Sequence, residues 1–204
     1  MNLSFNQYRA IDLTIMAVLL AVSEAVVTIA ATKWFPYEFF SVSTTLAIVC
    51  IVMMRWDGYA VIHAALGGGV FCLVMGGSAQ QFAVYCAGNC GALAALLLFK
   101  ALGKKKVAEK FWFSALYVLA AFVGMELGRW GLSLILGSVG DGSAADLLVN
   151  FLINDAITLL FSILAVLISR RMDGLFEDQR AYLLRVREEV LKEREARDQE
   201  NNWY

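Results

Sequence analysis

The segment IDLTIMAVLLAVSEAVVTIAA, from Ile11 to Ala31, is the first long apolar run of the sequence. A helix of about twenty residues, rising 1.5 Å per residue, is long enough to cross a bilayer. Within it Ala17, Ala21 and Ala25 recur every four residues and so share one helix face. Small side chains on one face let a second helix approach closely in lipid. We therefore predict a membrane-spanning helix that docks a partner through these three alanines.

The composition of the whole chain points to the same class of protein. Of 204 residues, 60% are hydrophobic and only 17% are charged, with a mean hydropathy of +0.65. Soluble domains are typically about 45–50% apolar and about 25% charged. The net charge of −1 indicates no particular partner, and we expect no nucleic acid among the partners. The composition predicts an integral membrane protein.

Five more segments are predicted to cross the membrane, which makes six transmembrane helices in all. They are Phe39–Met54, Tyr59–Gly76, Gln81–Leu102, Phe111–Leu136 and Ala144–Ser169. The third helix contains Gly67, Gly68 and Gly69, which indicate either close packing or a local break. Residues 1–171 thus form one predicted transmembrane domain.

The basic residues predict how the helices are oriented. Nine of them fall on one side of the predicted spans: Arg9, Arg55, Lys100, Lys104, Lys105, Lys106, Lys110, Arg170 and Arg171. Only Lys33 falls on the other side. Because cytoplasmic loops carry an excess of lysine and arginine, both termini are predicted to be cytoplasmic.

The C-terminal residues 172–204 differ from the rest of the chain. From Asp173 to Tyr204 there are six basic and nine acidic residues. Apolar residues keep a helical period from Leu175 to Val190, so we predict an amphipathic cytosolic helix over Asp173–Gln199. The helix is interpreted either as a solvated extension or as a docking or self-associating segment.

Polar residues inside the predicted spans are the candidate binding residues, because charge at membrane depth usually faces a cavity or a partner. The charged ones are Glu24, Glu126, Arg129 and Asp155. Helices 4, 5 and 6 place several polar and aromatic side chains at similar depth in the outer half, beneath the first outer loop. The predicted substrate pocket comprises Trp34, Tyr37, Glu38, Gln81, Tyr85, Asn89, Glu126, Arg129, Trp130, Asn150 and Asn154.

A purely structural interpretation of these residues stays open. Glu126 and Arg129 share a helix face and would then neutralise each other. Asn150 and Asn154 would form hydrogen bonds between helices. The aromatic residues would belong to the belt at the membrane surface.

No enzymatic chemistry is predicted. Cys50, Cys72, Cys86 and Cys90 lie in apolar segments without paired spacing, and His63 is the only histidine. We therefore expect no metal, no cofactor and no nucleophile–base pair. The sequence has no phosphate-binding loop of the GxxxxGK[ST] type, so any ATP chemistry would come from partners.

Residues 9–171 resemble the substrate-binding S components of energy-coupling factor (ECF) transporters, which are ABC importers of vitamins. The resemblance rests on six helices, both termini inside, an aromatic first outer loop and the AxxxA motif of Ala17 and Ala21. It implies a vitamin-like substrate, ligand contacts from Tyr85 and Asn150, and docking of helix 1 onto a transmembrane T subunit with two ATPases. Val84 stands where the similar thiamine branch has a glutamate, so the resemblance does not extend to thiamine itself. The alternative is a structural scaffold of the MreD-like kind, acting through its C-terminal helix.

Overall fold

The computed structural model describes residues 4–34, 41–137 and 143–201. These residues form ten α-helices and no strand. The helices are α1 (Phe5–Trp34), α2 (Thr45–Trp56), α3 (Ala60–Met75), α4 (Ala79–Gly88), α5 (Leu96–Leu102), α6 (Lys104–Glu109), α7 (Phe111–Ile135), α8 (Ala144–Asn154), α9 (Ala156–Ser169) and α10 (Gln179–Asn201). A 3₁₀ segment, Asn89–Ala95, joins α4 to α5. The all-α fold is therefore confirmed for the described residues.

The apolar helices fit a membrane protein. By length and composition alone, four helical segments could cross a bilayer, namely 5–34, 45–75, 79–102 and 111–135, and the second of them contains the turn at Asp57–Tyr59. The pair α8 and α9, bent by 43°, makes a fifth if it counts as one span.

Helix α2 is the centre of the bundle. All twelve of its residues are buried, and α1, α3, α7 and α9 pack around it. It begins at Thr45, later than the predicted start at Phe39, because the side chains of Ser43 and Thr44 are held by a carboxylate of α1. A twelve-residue helix is only about 18 Å long, shorter than the hydrocarbon core of a bilayer.

The three consecutive glycines serve close packing, because α3 runs through them without a break. A Cβ on Gly67 would lie 2.2 Å from Oγ1 of Thr45. Thr45 is the first residue of α2, and the turn at Asp57–Tyr59 follows the last residue of α2. Helices α2 and α3 therefore form an antiparallel hairpin. A Cβ on Gly68 would lie 2.5 Å from the carbonyl of Tyr85, which brings α4 against the other side of α3.

Two predicted helices are present but are not regular α-helices throughout. The predicted helix Gln81–Leu102 narrows to a 3₁₀ turn from Asn89 to Ala95, where its backbone meets α7. The predicted helix Ala144–Ser169 breaks at Asp155. There the carbonyl of Asn154 accepts a hydrogen bond from the Ser41 amide, 2.9 Å away.

The residues before α10 pack onto the bundle. Arg55 donates to the carbonyls of Gly174 and Leu175 and pairs with Asp12 on α1. Tyr8 donates to Oε1 of Gln179 at 3.0 Å, and Gln179 is fully buried. The C-terminal helix therefore begins at Gln179 and not at Asp173.

Basic residues from four parts of the chain meet at one end of the bundle. We call the end that holds Arg9, Arg55, Lys104 and Arg170 the basic end. Lys104 bonds both Asp57 (2.9 Å) and Asp178 (2.6 Å). Burial opposes ionisation of Asp178, but Lys104 and two backbone N–H groups outweigh it and hold the pKa of the carboxyl below its ordinary value.

Candidate functional site

Arg129 of α7 lies buried at the centre of a polar site between the helices. Its Nε donates to Oδ1 of Asn89 at 2.7 Å. Its Nη1 donates to Oε1 of Glu126 at 2.9 Å and also to Oδ2 of Asp155. Glu126 is fully buried, and Arg129 and Asp155 are 4% and 6% exposed. The predicted Glu126–Arg129 pair is present, and it is extended by groups from two other segments.

The two helix interruptions bring these partners to Arg129. Asn89 starts the 3₁₀ segment and also donates from Nδ2 to the carbonyl of Ala64, 3.2 Å away. Asp155 occupies the break between α8 and α9. The Tyr85 ring lies 4.8 Å from the Arg129 guanidinium carbon, in cation–π contact. Irregular backbone and charge thus coincide within apolar helices.

Glu24 of α1 forms the second half of the site by capping α2. Its Oε2 accepts from the amides of Thr44 and Thr45 at 2.8 and 3.1 Å, and from the hydroxyls of Ser43 and Thr44. The first amides of a helix have no partner within the helix, and a carboxylate there also interacts favourably with the helix dipole. Glu24 therefore satisfies the buried start of the central helix.

The residues before α2 connect the two halves. Ser41 donates its hydroxyl to Oδ1 of Asp155, and the Ser43 amide donates to Oγ1 of Thr158 at 3.1 Å. The buried polar cluster is defined here as Glu24, Ser41, Ser43, Thr44, Tyr85, Asn89, Glu126, Arg129, Asp155 and Thr158.

A small cavity lies within this cluster. Its volume is about 10 Å³, and Thr45, Gly67, Gly68 and Phe71 complete its lining. That space suits about one water molecule. Two carboxylate oxygens of the cluster, Oε1 of Glu24 and Oε2 of Glu126, are buried without a hydrogen-bond partner in the described part of the chain. The site therefore retains unused acceptor capacity.

Several residues of the predicted pocket have other roles or positions. Gln81 is exposed and forms a capping box with Ser78 at the start of α4. Trp130 donates to the carbonyl of Ala144 at 2.8 Å. Asn150 is exposed, and Asn154 contributes its backbone carbonyl. Trp34 is 74% exposed. Tyr37 and Glu38 lie outside the described residues. Of the predicted pocket, the cluster brings together Tyr85, Asn89, Glu126 and Arg129.

Two carboxylates of the cluster were not part of the predicted pocket, and the close contact between α4 and α7 at their glycines was not predicted. Glu24 and Asp155 were visible as charges in apolar segments, which is the signal that selected Arg129. The sequence also contains a GxxxG pattern at Gly124 and Gly128, a known signal for close helix packing in membranes. A Cβ on Gly128 would lie 2.3 Å from the Gly88 carbonyl oxygen.

The alanines predicted to dock a partner lie at the edge of the buried face of α1. Ala17, Ala21 and Ala25 are half-buried. Most of the open face of α1 is apolar, with Thr14 as a polar exception. The exposed apolar side chains are Ile11, Ile15, Val18, Leu19, Val22, Val26 and Ile29. The alanines thus border a larger apolar surface.

No protein-family model, no curated protein and no solved structure matches this chain. Within the described residues, no group of three or more histidine, cysteine, aspartate or glutamate side chains is placed to hold a metal ion.

Proposed function

We propose that this chain is the substrate-binding S component of an ECF-type importer in a bacterial plasma membrane. In this proposal the chain crosses the membrane six times, with both termini in the cytoplasm. The supporting observation is the buried Arg129, whose partners come from the interruptions of two apolar helices. Intramembrane charges and broken helices recur at the substrate sites of transporters.

The unused groups of the cluster indicate what the substrate carries. The cluster contains three carboxylates and one guanidinium: Glu126 and Asp155 pair with Arg129, and Glu24 lines the same small cavity. Glu24 and Glu126 each have one carboxylate oxygen without a partner in the described chain. A buried acceptor without a donor is costly. We infer that the vitamin-like substrate of this proposal is rich in hydrogen-bond donors and carries a positive charge. An aromatic pair, Phe71 and Tyr85 with ring centroids 4.8 Å apart, supplies a surface for a planar or cationic group.

The cavity of the buried polar cluster is smaller than a vitamin-sized molecule. At about 10 Å³, it admits a vitamin-sized molecule only if the surrounding side chains and helices move apart. The substrate-bound conformation therefore has a wider cavity than this one. Energy for transport comes from the T subunit and the two ATPases, because the sequence contains no phosphate-binding loop.

Mass spectrometry of the purified chain tests the binding proposal. We expect a stoichiometric small molecule to co-purify in detergent, or one member of a panel of water-soluble vitamins to raise the melting temperature. Asn89→Ala removes a hydrogen bond to Arg129 without removing a charge, and we expect it to weaken binding by about tenfold or more. Tyr117→Phe is the matched control, since Tyr117 is equally buried but bonds the carbonyl of Cys50 outside the cluster.

Two outcomes of that experiment would count against the proposal. A chain that stays empty against the whole panel would favour the scaffold alternative. Equal loss of binding in the Asn89 and Tyr117 variants would show a general effect on folding, without a binding role for the cluster.

A bulky residue at Ala21, one of the three alanines on α1, tests the docking of α1 onto the T subunit separately. We expect Ala21→Trp to abolish uptake in cells that contain the T subunit and ATPases, while substrate binding by the purified chain persists. The indole would hold a partner helix away from α1, where small residues permit close approach. Val22→Trp, on the open face of the same helix, is the control for insertion of a large side chain. Parallel loss of uptake and binding in the Ala21 variant would refute a docking role.

A further inference from the structure

A second, larger cavity opens at the basic end of the bundle. Its volume is about 520 Å³. Its walls come from the start of α1, the turn between α2 and α3, the first turns of α3 and the residues around the start of α10. It shares no lining residue with the cavity of the buried polar cluster.

Most of the charged groups around this cavity already have partners. Arg55 is paired with Asp12 through contacts of 2.6 and 3.0 Å. Asp57 and Asp178 both bind Lys104. These pairs leave two cations on the cavity wall, Arg9 and Arg180.

The two remaining arginines are held by aromatic rings. The guanidinium carbon of Arg9 lies 4.5 Å from the Tyr59 ring, and that of Arg180 lies 5.3 Å from the Phe5 ring. Arg9 also donates one weak hydrogen bond to Asn6, at 3.2 Å. Neither arginine forms an ion pair with a carboxylate in the described ranges. Stacking on a ring leaves the edge of a guanidinium free to donate to an anion.

The remaining wall is apolar and continues along the surface of the bundle. Val61 and Ile62 of α3 line the cavity and are 41% and 58% exposed. They belong to segment 45–75, which is apolar enough to lie in a bilayer. The cavity therefore joins a cationic edge to an exposed apolar surface.

We propose that this cavity binds the headgroup of an anionic phospholipid. The phosphate accepts hydrogen bonds from Arg9 and Arg180, since guanidinium groups suit phosphate oxygens. The glycerol and the first acyl carbons lie over Val61 and Ile62. A free phosphate would use only the cationic edge, whereas an amphiphile matches both walls. This proposal does not depend on substrate transport.

The proposed lipid would connect three parts of the chain that are distant in sequence. Arg9 lies on α1, Tyr59 at the hairpin turn, and Arg180 on α10. Bound lipid would therefore strengthen the packing of the C-terminal segment onto the bundle, in addition to the Arg55 and Gln179 hydrogen bonds.

Native mass spectrometry of the full chain from nanodiscs tests the proposal. One set contains phosphatidylcholine alone, and the other contains added phosphatidylglycerol. We expect one phosphatidylglycerol to stay bound per chain and to raise the melting temperature. The double variant Arg9→Gln, Arg180→Gln should lose this retention by more than about tenfold, since each cation near an anionic headgroup contributes to binding. Arg171→Gln, an exposed arginine at the same end, should retain it.

Several results would overturn the inference. Equal retention of phosphatidylcholine and phosphatidylglycerol would show that binding does not depend on the charge of the headgroup. Equal loss in the Arg171 variant would indicate general electrostatic attraction. Displacement of the lipid by soluble glycerol phosphate would assign the site to a free phosphate. The melting temperature of the double variant in phosphatidylcholine, if equal to that of the wild type, shows that its loss of binding is not unfolding.

Discussion

Replacing Arg129 with methionine is expected to destabilise the chain more than any other single change at the cluster. Methionine fills a similar length but leaves Glu126 and Asp155 buried without their cation. Removing one partner of a buried ion pair typically costs about 3–5 kcal/mol. We expect a greatly reduced monodisperse peak in detergent gel filtration and a large fall in melting temperature.

A neutral version of the whole cluster is the control for this prediction. In Arg129→Met, Glu126→Gln, Asp155→Asn no charge remains to be compensated, so most of the lost stability should return. Recovery would show that the cost in the single variant comes from uncompensated carboxylates. A single variant that melts like the wild type would refute the structural account of Arg129.

Two alanine substitutions three residues apart on α7 are expected to have opposite effects. A Cβ on Gly128 would lie 2.3 Å from the carbonyl oxygen of Gly88, so Gly128→Ala forces α4 and α7 apart. Overpacking of this kind costs about 1–3 kcal/mol. A Cβ on Gly131 meets no atom of the described residues within 4 Å. Gly131→Ala should therefore stabilise the helix by about 0.5–1 kcal/mol, the usual gain of alanine over glycine.

Thermal melts of the two purified variants in one detergent measure the contrast. Both variants gain one methyl group on the same helix. A difference between their melting temperatures therefore cannot come from helix propensity or from lipid contact. Similar melting temperatures for the two variants would contradict the close contact between α4 and α7.

The glycine contact and the polar cluster are mechanically linked. A Cβ on Gly88 would lie 2.7 Å from Cα of Arg129, and Asn89 is the next residue in the chain. Separation of α4 from α7 therefore moves Asn89 away from the Arg129 guanidinium. We expect Gly128→Ala to weaken substrate binding as well as stability, in the assay described for Asn89→Ala.

Features that depend on local sequence were predicted well. The predicted spans Ile11–Ala31 and Phe111–Leu136 correspond to α1 and α7, because long apolar runs form helices in lipid regardless of their neighbours. The Glu126–Arg129 pair follows from helical spacing within one element. The clustering of basic residues at one end follows from the alternating direction of successive helices.

Features that depend on distant contacts were not predicted. Helix 6 was expected to be continuous, because nothing in its local composition marks Asp155 as a break. The break is stabilised by Arg129 and Ser41, which lie 26 and 114 residues away. Similarly, Asn150 was assigned to the pocket from its depth along the helix, but the rotation of α8 leaves it exposed.

The sequence by itself determined the class of the protein, the apolar helices and the polar residues that lie within them. Hydropathy and helical spacing are properties of neighbouring residues, so they can be read from the chain directly. Only the tertiary structure decided which polar groups meet. Glu24 reaches Thr44 across twenty residues, and Arg129 reaches Asn89 across forty. Each buried charge, and each free amide at the start of α2, requires a polar partner. Which partner it finds depends on how the helices pack, and the packing is not a property of neighbouring residues.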